Sequence, residues 1–489
     1  MFVTKRLGRL SRELKNAIEA NKLSEKAKVS LNRSVLFTSV FTEGRAMKIP
    51  KKPFAGIIFF ADIALCATPL FAAEATPSEG TLMDKSLADL LNMPVTSLLG
   101  REENRNEAAS SMTVITQEDI RRSGAHNISD LFYRVPGMQV RRIDGHRYYV
   151  AIRSAGSLFE GSILVLVDNV IVFNPLQDGT NWELLPVTLD EIDRIEIIRG
   201  PGGVLYSSND VNGVISIITK KAVERDNYVA MRAGSMTTFQ EDAGLGATIQ
   251  KFAVRRYAQE NFDGGYTHQK KDIRVSDKTR SEIMGIKAQY DFSENTNLVL
   301  DGKYLDQNAV NDGPNVNGNS MNSFNNNSIK RSGCQGAVSA QFNQKFNDIY
   351  NYNFHFDFMG MSPTDTTSYD SRSNSFTLNT QHNFKYGLLG NHVTSLGMEA
   401  RWIKISKTPG FEPPADPYQI QQVDSVFLQQ EYRPVKKLIL TAGVRITHNT
   451  DVTTGTGLLY EPRASIVYLL NDQNSLRAEW LAGPWKRPA

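Results

Sequence analysis

The side chains best suited to chemistry in this 489-residue sequence are its seven histidines, and their spacing argues against catalysis. None of them shows the spacing of a zinc site: His126, His146, His268, His355, His382, His392 and His448. The sequence also has neither the G-x-S-x-G turn of serine hydrolases nor a phosphate-binding P-loop. We therefore expect no catalytic residue, no cofactor and no metal site, and we interpret the chain as a non-enzyme.

Three connecting segments carry aromatic and charged side chains that suit a bulky polar ligand. These segments are Asp144–Tyr148, Gly156–Gly161 and Phe173–Trp182. The candidate ligand-binding residues in them are His146, Arg147, Tyr148, Phe173, Asp178 and Trp182. The alternative is that these segments are solvated loop tips, and that Trp182 is a packing residue.

The stretch from Asp190 to Lys220 contains the elements that would position these loops. Ile192–Ile198 is rich in β-branched residues, which favours a strand. Arg199–Gly203 interrupts it, because glycine permits positive φ and proline cannot donate to a sheet. Gly213–Thr219 is apolar enough for a second strand that is covered on both faces. The sequence therefore predicts two strands joined by a glycine-rich connection.

Further elements precede this stretch. Met112–Ile115 has the character of a strand, and Thr116 is placed to cap the helix that follows. Glu118 and Asp119 would stand in its first turn, where the helix dipole favours anions. The other predicted elements are a short helix that opens at Ser129 and ends at Pro136-Gly137, and strands at Tyr149–Arg153 and Ile163–Asp168.

These motifs resemble the plug domain of TonB-dependent outer-membrane receptors. The resemblance lies in V-I-T-x-E-D-I-x-x-S-G at 114–124, in D-L and V-P-G between 130 and 140, and in R-I-E-I-I-R-G-P-G-G followed by N-G-V-I at 194–215. The sequence departs from the family pattern at five positions: Ser154, Asn169, Ser207, Asp210 and Ser216. Asparagine still reaches the left-handed region that the turn at 169 requires. The resemblance implies a plug domain over residues 111–222.

The resemblance also implies partners and contact residues. In the family, a segment before the plug adds as a strand to the periplasmic protein TonB, which works with an inner-membrane energising complex. Val95 and Thr96 would form the centre of that TonB contact, and an ordinary linker is the alternative. Arg153 and Arg199 resemble plug arginines that contact barrel carboxylates, unless they are solvated in the lumen. The other expected partners are outer-membrane lipid and an iron–siderophore or similar ligand, with the receptor a monomer.

The first 110 residues divide into three predicted segments. We interpret residues 1–46 as a spurious extension upstream of the true start, with a functional basic arm as the alternative. Residues 47–75 have the pattern of a signal peptide, with lysines before the apolar run Phe54–Phe71 and cleavage after Ala73 or Ala75. Residues 76–110 would hold the TonB-contact segment and a linker. We therefore expect export to the outer membrane of a Gram-negative cell.

Charge and cysteine usage exclude two further possibilities. The formal net charge is +3, and much of the basic excess lies in the first 52 residues, which argues against a nucleic-acid partner. One of the two cysteines, Cys66, lies in the predicted signal peptide. Cys334 would then be alone in the mature chain, so no intrachain disulfide is expected.

After Lys220 the sequence alternates between apolar and polar residues. The clearest case is Asn351–Phe358, where aromatic residues alternate with Asn, His and Asp. Short turns such as Ser293–Asn297 and Asn471–Asn474 separate such segments on one side. Long polar connections are predicted on the other side, at Asp306–Gly333, Ser362–Asn374 and Lys407–Gln419. This pattern is typical of an antiparallel transmembrane β-barrel and predicts an α+β plug followed by a barrel at 227–489.

The number of predicted strands is small for this architecture. Residues 227–489 hold about 13 strand candidates, whereas plugged transporters use about 22 strands. The end of the sequence also departs from the family pattern, so we expect a frameshift or premature stop near Ala478. The function implied by the resemblance is uptake of a scarce ligand, a ferric siderophore in the first place. The alternatives are a cobalamin or haem receptor, or a truncated, non-transporting remnant.

Overall fold

The computed structural model describes residues 94–95, 103–104, 110–143, 145–153, 162–175, 179–200, 212–235, 238–265, 267–270, 273–311, 329–365, 369–407, 418–450, 457–471 and 474–481. The predicted extension 1–46, the predicted signal peptide 47–75 and most of the predicted linker 76–110 lie outside the described residues. In this described part, no helix combines the length and apolarity that crossing a membrane requires.

The elements up to residue 219 are short strands and short helices. The strands are β1 (Pro94–Val95), β2 (Glu103–Asn104), β3 (Ser111–Thr116), β4 (Met138–Arg142), β5 (Tyr148–Ile152), β6 (Ile163–Val167), β7 (Val170–Ile171), β8 (Ile192–Arg199) and β9 (Gly213–Thr219). The α-helices are α1 (Gln117–Ser123) and α2 (Ile128–Leu131). Single 3₁₀ turns span Phe132–Arg134, Trp182–Leu184 and Leu189–Glu191.

Helix α1 begins and ends where its sequence predicts. Thr116 has extended backbone, its Oγ1 accepts from the Asp119 amide at 3.2 Å, and the Asp119 carboxylate accepts from the Thr116 amide at 2.9 Å. This reciprocal pair is a capping box. Gly124, with φ 69°, closes the helix in the left-handed conformation. The predicted cap at Thr116 is confirmed.

The plug, residues 110–222, is built on a five-stranded sheet of order β3-β8-β9-β6-β7. Strands β6 and β9 are parallel and the other neighbours are antiparallel. Ile195 and Ile215 face the main core, whereas Ile198 and Val214 face a smaller cluster on the opposite side, and all four are fully buried. The prediction that Gly213–Thr219 is covered on both faces is therefore confirmed.

The turn between β6 and β7 places two non-glycine residues at positive φ. Asp168 has φ 49° and Asn169 has φ 69°, as a two-residue turn of the I′ type requires. Asn and Asp tolerate this region better than other non-glycine residues because their short polar side chains bond locally. The expectation that Asn169 fits the turn is confirmed, and the turn directs Asp168 away from the plug core.

The second part of the chain is one sheet of 13 antiparallel strands in chain order, which we call the wall. Its strands are β10 (Tyr228–Gly234), β11 (Thr238–Ile249), β12 (Phe252–Asp263), β15 (Thr279–Ser293), β16 (Thr296–Asn311), β17 (Ile329–Lys345), β18 (Tyr350–Asp365), β19 (Tyr369–Gly387), β20 (Asn391–Lys407), β21 (Tyr418–Val435), β22 (Leu438–Asn449), β23 (Gly457–Asn471) and β24 (Asn474–Leu481). A separate hairpin, β13 (Thr267–Lys270) and β14 (Ile273–Ser276), precedes β15. The expected count of 13 strands is confirmed, and the sheet is an open portion of a barrel.

The two faces of the wall differ in polarity as predicted. Along β18, Phe358 is exposed on the outer face, whereas its neighbour Asp357 is 2% exposed on the inner face. Along β22 and its neighbour, Val426 and Leu428 are exposed, while Arg445 and Thr447 are fully buried. An apolar outer face and a polar inner face are the pattern of a transmembrane barrel.

Two predicted loop boundaries are wrong. The segment Ser362–Asn374 was expected to be a long connection, but β18 continues to Asp365 and β19 begins at Tyr369. The connection predicted at Asp306–Gly333 is shorter, residues 312–328, because β16 continues to Asn311 and β17 begins at Ile329. Backbone pairing between neighbouring strands extends past the apolar zone, because ladder hydrogen bonds do not depend on side-chain polarity. The predicted turns at 293–297 and 471–474 are confirmed.

The plug packs on the inner face of the wall through apolar contacts. Leu184 of the plug joins a buried cluster with the wall residues Tyr257, Ile283 and Leu305. Gly333 of β17 leaves room for this leucine, since a Cβ there would lie 3.1 Å from its side chain. The main core of the plug also includes Ala337 and Met359 of the wall, so this core continues into the wall.

Candidate functional site

The two ends of the wall differ in the length of their connections. At one end, β11–β12, β15–β16 and β21–β22 are joined by two-residue turns. At the other end, the connections span residues 264–278, 312–328 and 408–417. Transmembrane barrels keep short turns on the periplasmic side and long loops outside. The long-connection end therefore corresponds to the outer side of such a barrel.

The plug reaches this end through residues 142–147, the end of β4 and the turn that joins it to β5, which we call the apex turn. Asp277 accepts a hydrogen bond from the Gly145 amide, and Asp263 accepts from Arg142 at 3.2 Å. Arg142 also donates to the Gly145 carbonyl at 2.5 Å. A Cβ at Gly145 would meet the Asp277 carbonyl at 2.3 Å, so only glycine fits this close approach. Both ends of the connection 264–278 are thus bonded to the apex turn.

Three predicted ligand-binding residues lie in or beside the apex turn, and all are buried. The exposed fractions are 8% for His146, 7% for Arg147 and 7% for Tyr148. Tyr148 belongs to the plug core, and its hydroxyl accepts from Asn127 at 2.8 Å. Burial raises the pKa of Tyr148 well above its ordinary value, so the hydroxyl stays neutral. Ligand contact by these three residues stays a prediction.

The other predicted ligand loop is closed by backbone bonds. Asn174 and Gly179 exchange hydrogen bonds at 2.8 and 3.4 Å, with the half-buried Phe173 just before them. Trp182 packs on the plug core, edge to face with Phe132, at 5.3 Å between ring centroids. This packing agrees with the structural alternative considered for Trp182. Asp178, like the predicted loop 156–161, lies outside the described residues.

The two predicted plug arginines are placed differently. Arg199 donates to the Pro136 carbonyl and to Ser111 Oγ, both at 2.8 Å and both within the plug. Arg153 is exposed and has φ 51°, a region that non-glycine residues rarely adopt. The predicted contact of either arginine with a barrel carboxylate stays a prediction.

In the ion pairs between plug and wall, the plug supplies the acidic residue and the wall supplies the basic one. Glu191, in the 3₁₀ turn before β8, is bonded by Arg255 of β12 through Nε at 2.7 Å and Nη2 at 2.8 Å. Both residues are 1% exposed. Asp226, in the segment that links plug and wall, accepts from the same guanidinium at 2.9 Å. This bidentate geometry is the strongest arrangement open to an arginine.

A second acidic contact adjoins the first. Arg232 of β10 donates to both oxygens of Asp190, at 2.6 and 2.8 Å, and to Asp242 of β11 at 2.7 Å. Gly244 of β11 leaves space for Glu191, since a Cβ would lie 2.5 Å from its carboxylate. Sequence reasoning missed both contacts. The available signal was the acidic pair Asp190-Glu191 directly before strand β8.

A third acidic contact involves the turn between β6 and β7. Asp168 Oδ2 lies 3.1 Å from Lys287 Nζ and 2.7 Å from Lys303 Nζ. Asp301 Oδ2 lies 3.4 Å from Lys287 Nζ and 2.5 Å from Lys303 Nζ. Burial disfavours the charged Asp168 carboxylate, but the two lysines outweigh burial and hold its pKa well below the usual range. Two anions and two cations therefore balance within one buried cluster.

The start of the plug is also held by the wall. Ser110, 2% exposed, donates to Glu479 at 2.8 Å and accepts from Arg463 at 3.1 Å. Its carbonyl accepts from Arg477 at 3.0 Å. Strands β23 and β24 therefore fix the point at which the plug begins.

The predicted TonB-contact segment is only partly described. Val95 lies in β1, whose backbone pairs antiparallel with β2, with Val95 opposite Glu103. Thr96 lies outside the described residues. Extended backbone at Val95 is compatible with strand addition, and the TonB contact stays a prediction. Within the described ranges, no group of three or more His, Cys, Asp or Glu side chains is arranged to hold a metal ion.

Two family models match the chain in the order of its two parts. The TonB-dependent receptor plug domain model matches residues 104–214. The TonB-dependent receptor-like β-barrel model matches residues 221–480, more than half of the chain. These matches cover the plug and the wall respectively.

Three relatives illustrate the similarity in sequence. The iron-regulated outer membrane virulence protein of Vibrio cholerae is 25% identical over 422 residues, which cover 82% of this chain and 60% of that protein. The vitamin B12 transporter BtuB of Vibrio vulnificus is 35% identical over 150 residues, 30% of this chain and 23% of that protein. The ferric enterobactin receptor PirA of Pseudomonas aeruginosa is 28% identical over 203 residues, 38% of this chain and 25% of that protein. The chain thus spans at most 60% of these relatives.

Solved structures share the fold. A variant of the ferric enterobactin receptor PfeA of Pseudomonas aeruginosa, in complex with enterobactin, has a TM-score of 0.64 at 17% identity, covering 76% of this chain and 62% of that one. The receptor FpvA of Pseudomonas aeruginosa, bound to a heterologous pyoverdine, has a TM-score of 0.63 at 16% identity, covering 79% and 58%. With both family models matched in order and this fold shared, the chain belongs to the TonB-dependent receptor family.

Proposed function

We propose that this chain acts in the outer membrane as a TonB-dependent receptor for a ferric siderophore. The observation that carries the proposal is the seating of the apex turn at the long-connection end of the wall, bonded to Asp263 and Asp277. His146 and Arg147 belong to this turn. The guanidinium of Arg147 suits an anionic metal chelate. The name of the PirA relative, a ferric enterobactin receptor, supports this ligand class, and the Vibrio cholerae relative is named as iron-regulated.

The proposed mechanism is a shift between plug positions and involves no bond chemistry. Ligand binds the outward face of the plug, and the segment around Val95 and Thr96 then becomes available for strand addition to TonB. A ligand shifts such an equilibrium only through its differential affinity for the two states, so external work through TonB supplies the remainder. The apex turn is the plug end of this coupling, because it is bonded to the wall connection 264–278.

Growth and uptake experiments test the proposal directly. The full chain is expressed in a strain that lacks its own siderophore receptors, and growth is measured on iron supplied as a catecholate or as a hydroxamate chelate. We expect growth on one chelate class, dependent on TonB, and weaker uptake in Arg147→Ala. Arg121→Ala, on the exposed face of α1, is the matched control. Absence of uptake for every chelate would instead favour a non-transporting protein.

Cobalamin is the second candidate ligand. It is favoured by the 35% identity, over 150 residues, to the vitamin B12 transporter of Vibrio vulnificus. Cobalamin-dependent growth of an auxotroph that lacks its own transporter separates the two ligands. Growth on cobalamin, without growth on any iron chelate, would replace the siderophore by the vitamin.

A further inference from the structure

The outer face of the wall carries two rows of aromatic side chains. On β19, Phe376 belongs to the upper row, nearer the long-connection end, and Phe384 belongs to the lower row, and both rings are exposed. Their separation along the sequence corresponds to about 26 Å along the strand, or about 20 Å along the barrel axis at a strand tilt of about 40°. The apolar band of a transmembrane barrel is about 25 Å tall and is flanked by aromatic residues. The upper row therefore lies near the headgroup level of the outer leaflet.

The rings of the upper row pack against one another across neighbouring strands. Phe376 of β19 lies opposite Trp402 of β20, with 5.5 Å between the ring centroids. Phe356 of β18 packs edge to face on Phe376, with 4.9 Å between the centroids. We call these three rings the aromatic shelf. Beyond the shelf on β18, Gly360 leaves room for Asn374, since a Cβ there would lie 3.2 Å from Asn374 Oδ1. The amide of Asn374 thus lies directly beyond the shelf.

Two basic residues lie beyond the aromatic shelf on the same outer face. Lys404 of β20 is opposite Asn374 of β19, and Arg372 of β19 is opposite Ser406 of β20. Arg372 and Lys404 are therefore diagonal neighbours, whose Cβ atoms are about 7–8 Å apart, within reach of long side chains. Arg372, Asn374 and Lys404 are exposed, and we call them the cationic patch. Ser373, between two of them on β19, is only 3% exposed and belongs to the inner face.

We propose that the cationic patch and the aromatic shelf bind the phosphate headgroup of an anionic lipid of the outer leaflet. The Arg372 guanidinium is able to bind a phosphate through two parallel hydrogen bonds, and the Lys404 ammonium adds a compact positive charge. Trp402, an amphipathic side chain at the level of the interface, packs on the adjoining apolar part of the lipid. The inference rests on the proposed function only for the location of the wall in the outer membrane.

The chemistry of the two surfaces selects this class of ligand. A zwitterionic headgroup would bring its own cation towards Arg372 and Lys404, and like charges at close range repel. A free phosphate would pair with these two residues but would leave the aromatic shelf without a partner. A lipid with a phosphate monoester satisfies both surfaces, because its anionic headgroup and its acyl chains are joined across the same boundary.

Trp402 provides a fluorescent reporter within the proposed site. The full chain is reconstituted in phosphatidylcholine vesicles that contain brominated phosphatidic acid, because bromine on the acyl chains quenches a tryptophan that the lipid contacts. Vesicles with brominated phosphatidylcholine give the reference. Subtraction of the same chain carrying Trp402→Phe separates this signal from that of the other tryptophans. The measured quantity is the binding constant of phosphatidic acid relative to phosphatidylcholine at Trp402.

We expect the parent chain to prefer phosphatidic acid, and Arg372→Gln combined with Lys404→Gln to reduce this preference about fivefold for each positive charge removed. The matched control is Lys436→Gln combined with Lys437→Gln, in the exposed turn between β21 and β22. It removes the same charge at the short-connection end and should leave the relative constant within about twofold of the parent. Arg372→Lys keeps the charge and should stay within about threefold.

A parent chain that binds the two lipids equally would overturn the lipid site, and so would an equal reduction in the control pair. Loss of the preference when inorganic phosphate is added at the concentration of the lipid would identify free phosphate as the ligand and also overturn it. If the emission of Trp402 in pure phosphatidylcholine differs between the double variant and the parent, Arg372→Gln alone is used, with a reduction of about fivefold expected.

The same experiment separates this inference from the proposed function. Absence of quenching by either brominated lipid would contradict the location of the wall in a membrane, and with it both proposals. Quenching without a preference for phosphatidic acid would contradict the lipid site alone. Failure to take up any siderophore would leave the quenching of Trp402 unchanged.

Discussion

The contact between Glu191 and Arg255 permits a quantitative test of how the plug is held. Arg255→Met keeps the aliphatic bulk and removes three bonds to carboxylates, two to Glu191 and one to Asp226. It also removes the longer bonds to the carbonyls of Glu224 and Asp226. Glu191 is 1% exposed and would be left as a buried, uncompensated carboxylate, whereas the Asp226 side chain is 52% exposed and can be hydrated. Breaking a buried ion pair from one side costs about 3–5 kcal/mol. We therefore expect a loss of about that size in the free energy of opening of the segment 189–199.

Native-state hydrogen exchange in the full chain, as a function of urea, measures this free energy. The Lys220 amide is the reporter, because it donates to the Glu191 carbonyl at 2.9 Å. Arg280→Met is the matched control, since Arg280 pairs with Glu260 at a position where its side chain is 42% exposed. Exposed pairs contribute about 0–1 kcal/mol. A loss below about 1 kcal/mol for Arg255→Met, equal to the control, would refute the assignment of Arg255 as a buried anchor.

Three further predictions concern single contacts of the plug. Asp277→Ala removes the acceptor of the Gly145 amide, so hydrogen exchange there should accelerate about tenfold, whereas the exposed Asp348→Asn should leave it unchanged. Thr116→Ala should destabilise the plug by about 1 kcal/mol in urea unfolding, and Thr116→Ser should not, because serine also caps; equal losses would contradict the capping role. The pKa of Asp168 is lowered, so its contribution is complete above the unfolded value of about 3.9 and is lost only as pH falls through the folded value. The protection of segment 167–172 against hydrogen exchange, corrected for the intrinsic effect of pH, should therefore stay constant between pH 5 and 8. A change in protection with a midpoint inside that range would contradict the assignment.

Much of the plug could be predicted from sequence because its elements are set locally. The cap at Thr116 depends on residues within one helical turn, and the β6–β7 turn depends on Asp168 and Asn169 alone. The boundaries of Gly213–Thr219 were predicted without error because a run of β-branched residues ends there at polar neighbours. The alternation of apolar and polar residues along the wall strands has a period of two, so it too is visible within a short stretch of sequence.

The acidic contacts could not be predicted from the sequence because they join residues that are distant in it. Asp168 is separated from Lys303 by 135 positions, and Glu191 from Arg255 by 64. No local feature of the sequence indicates which inward-facing basic residue of the wall pairs with which acidic residue of the plug. The family resemblance instead predicts contacts of Arg153 and Arg199 with barrel carboxylates. Strand ends were also missed, since the pairing of Thr364 with Asp370 continues through residues that are typical of loops.

The positions of the wall partners indicate how the two parts depend on each other. The acidic contacts of the plug use β10, β12, β15 and β16, which are the first strands of the wall apart from β11. Contacts between chain neighbours cost less loop entropy to form than contacts to remote strands. The acidic contacts of the plug therefore form with the first strands, while Ser110 reaches β23 and β24 across more than 350 positions. The plug is thus fixed by its anions to the nearby strands, and Ser110 adds polar contacts with the last two.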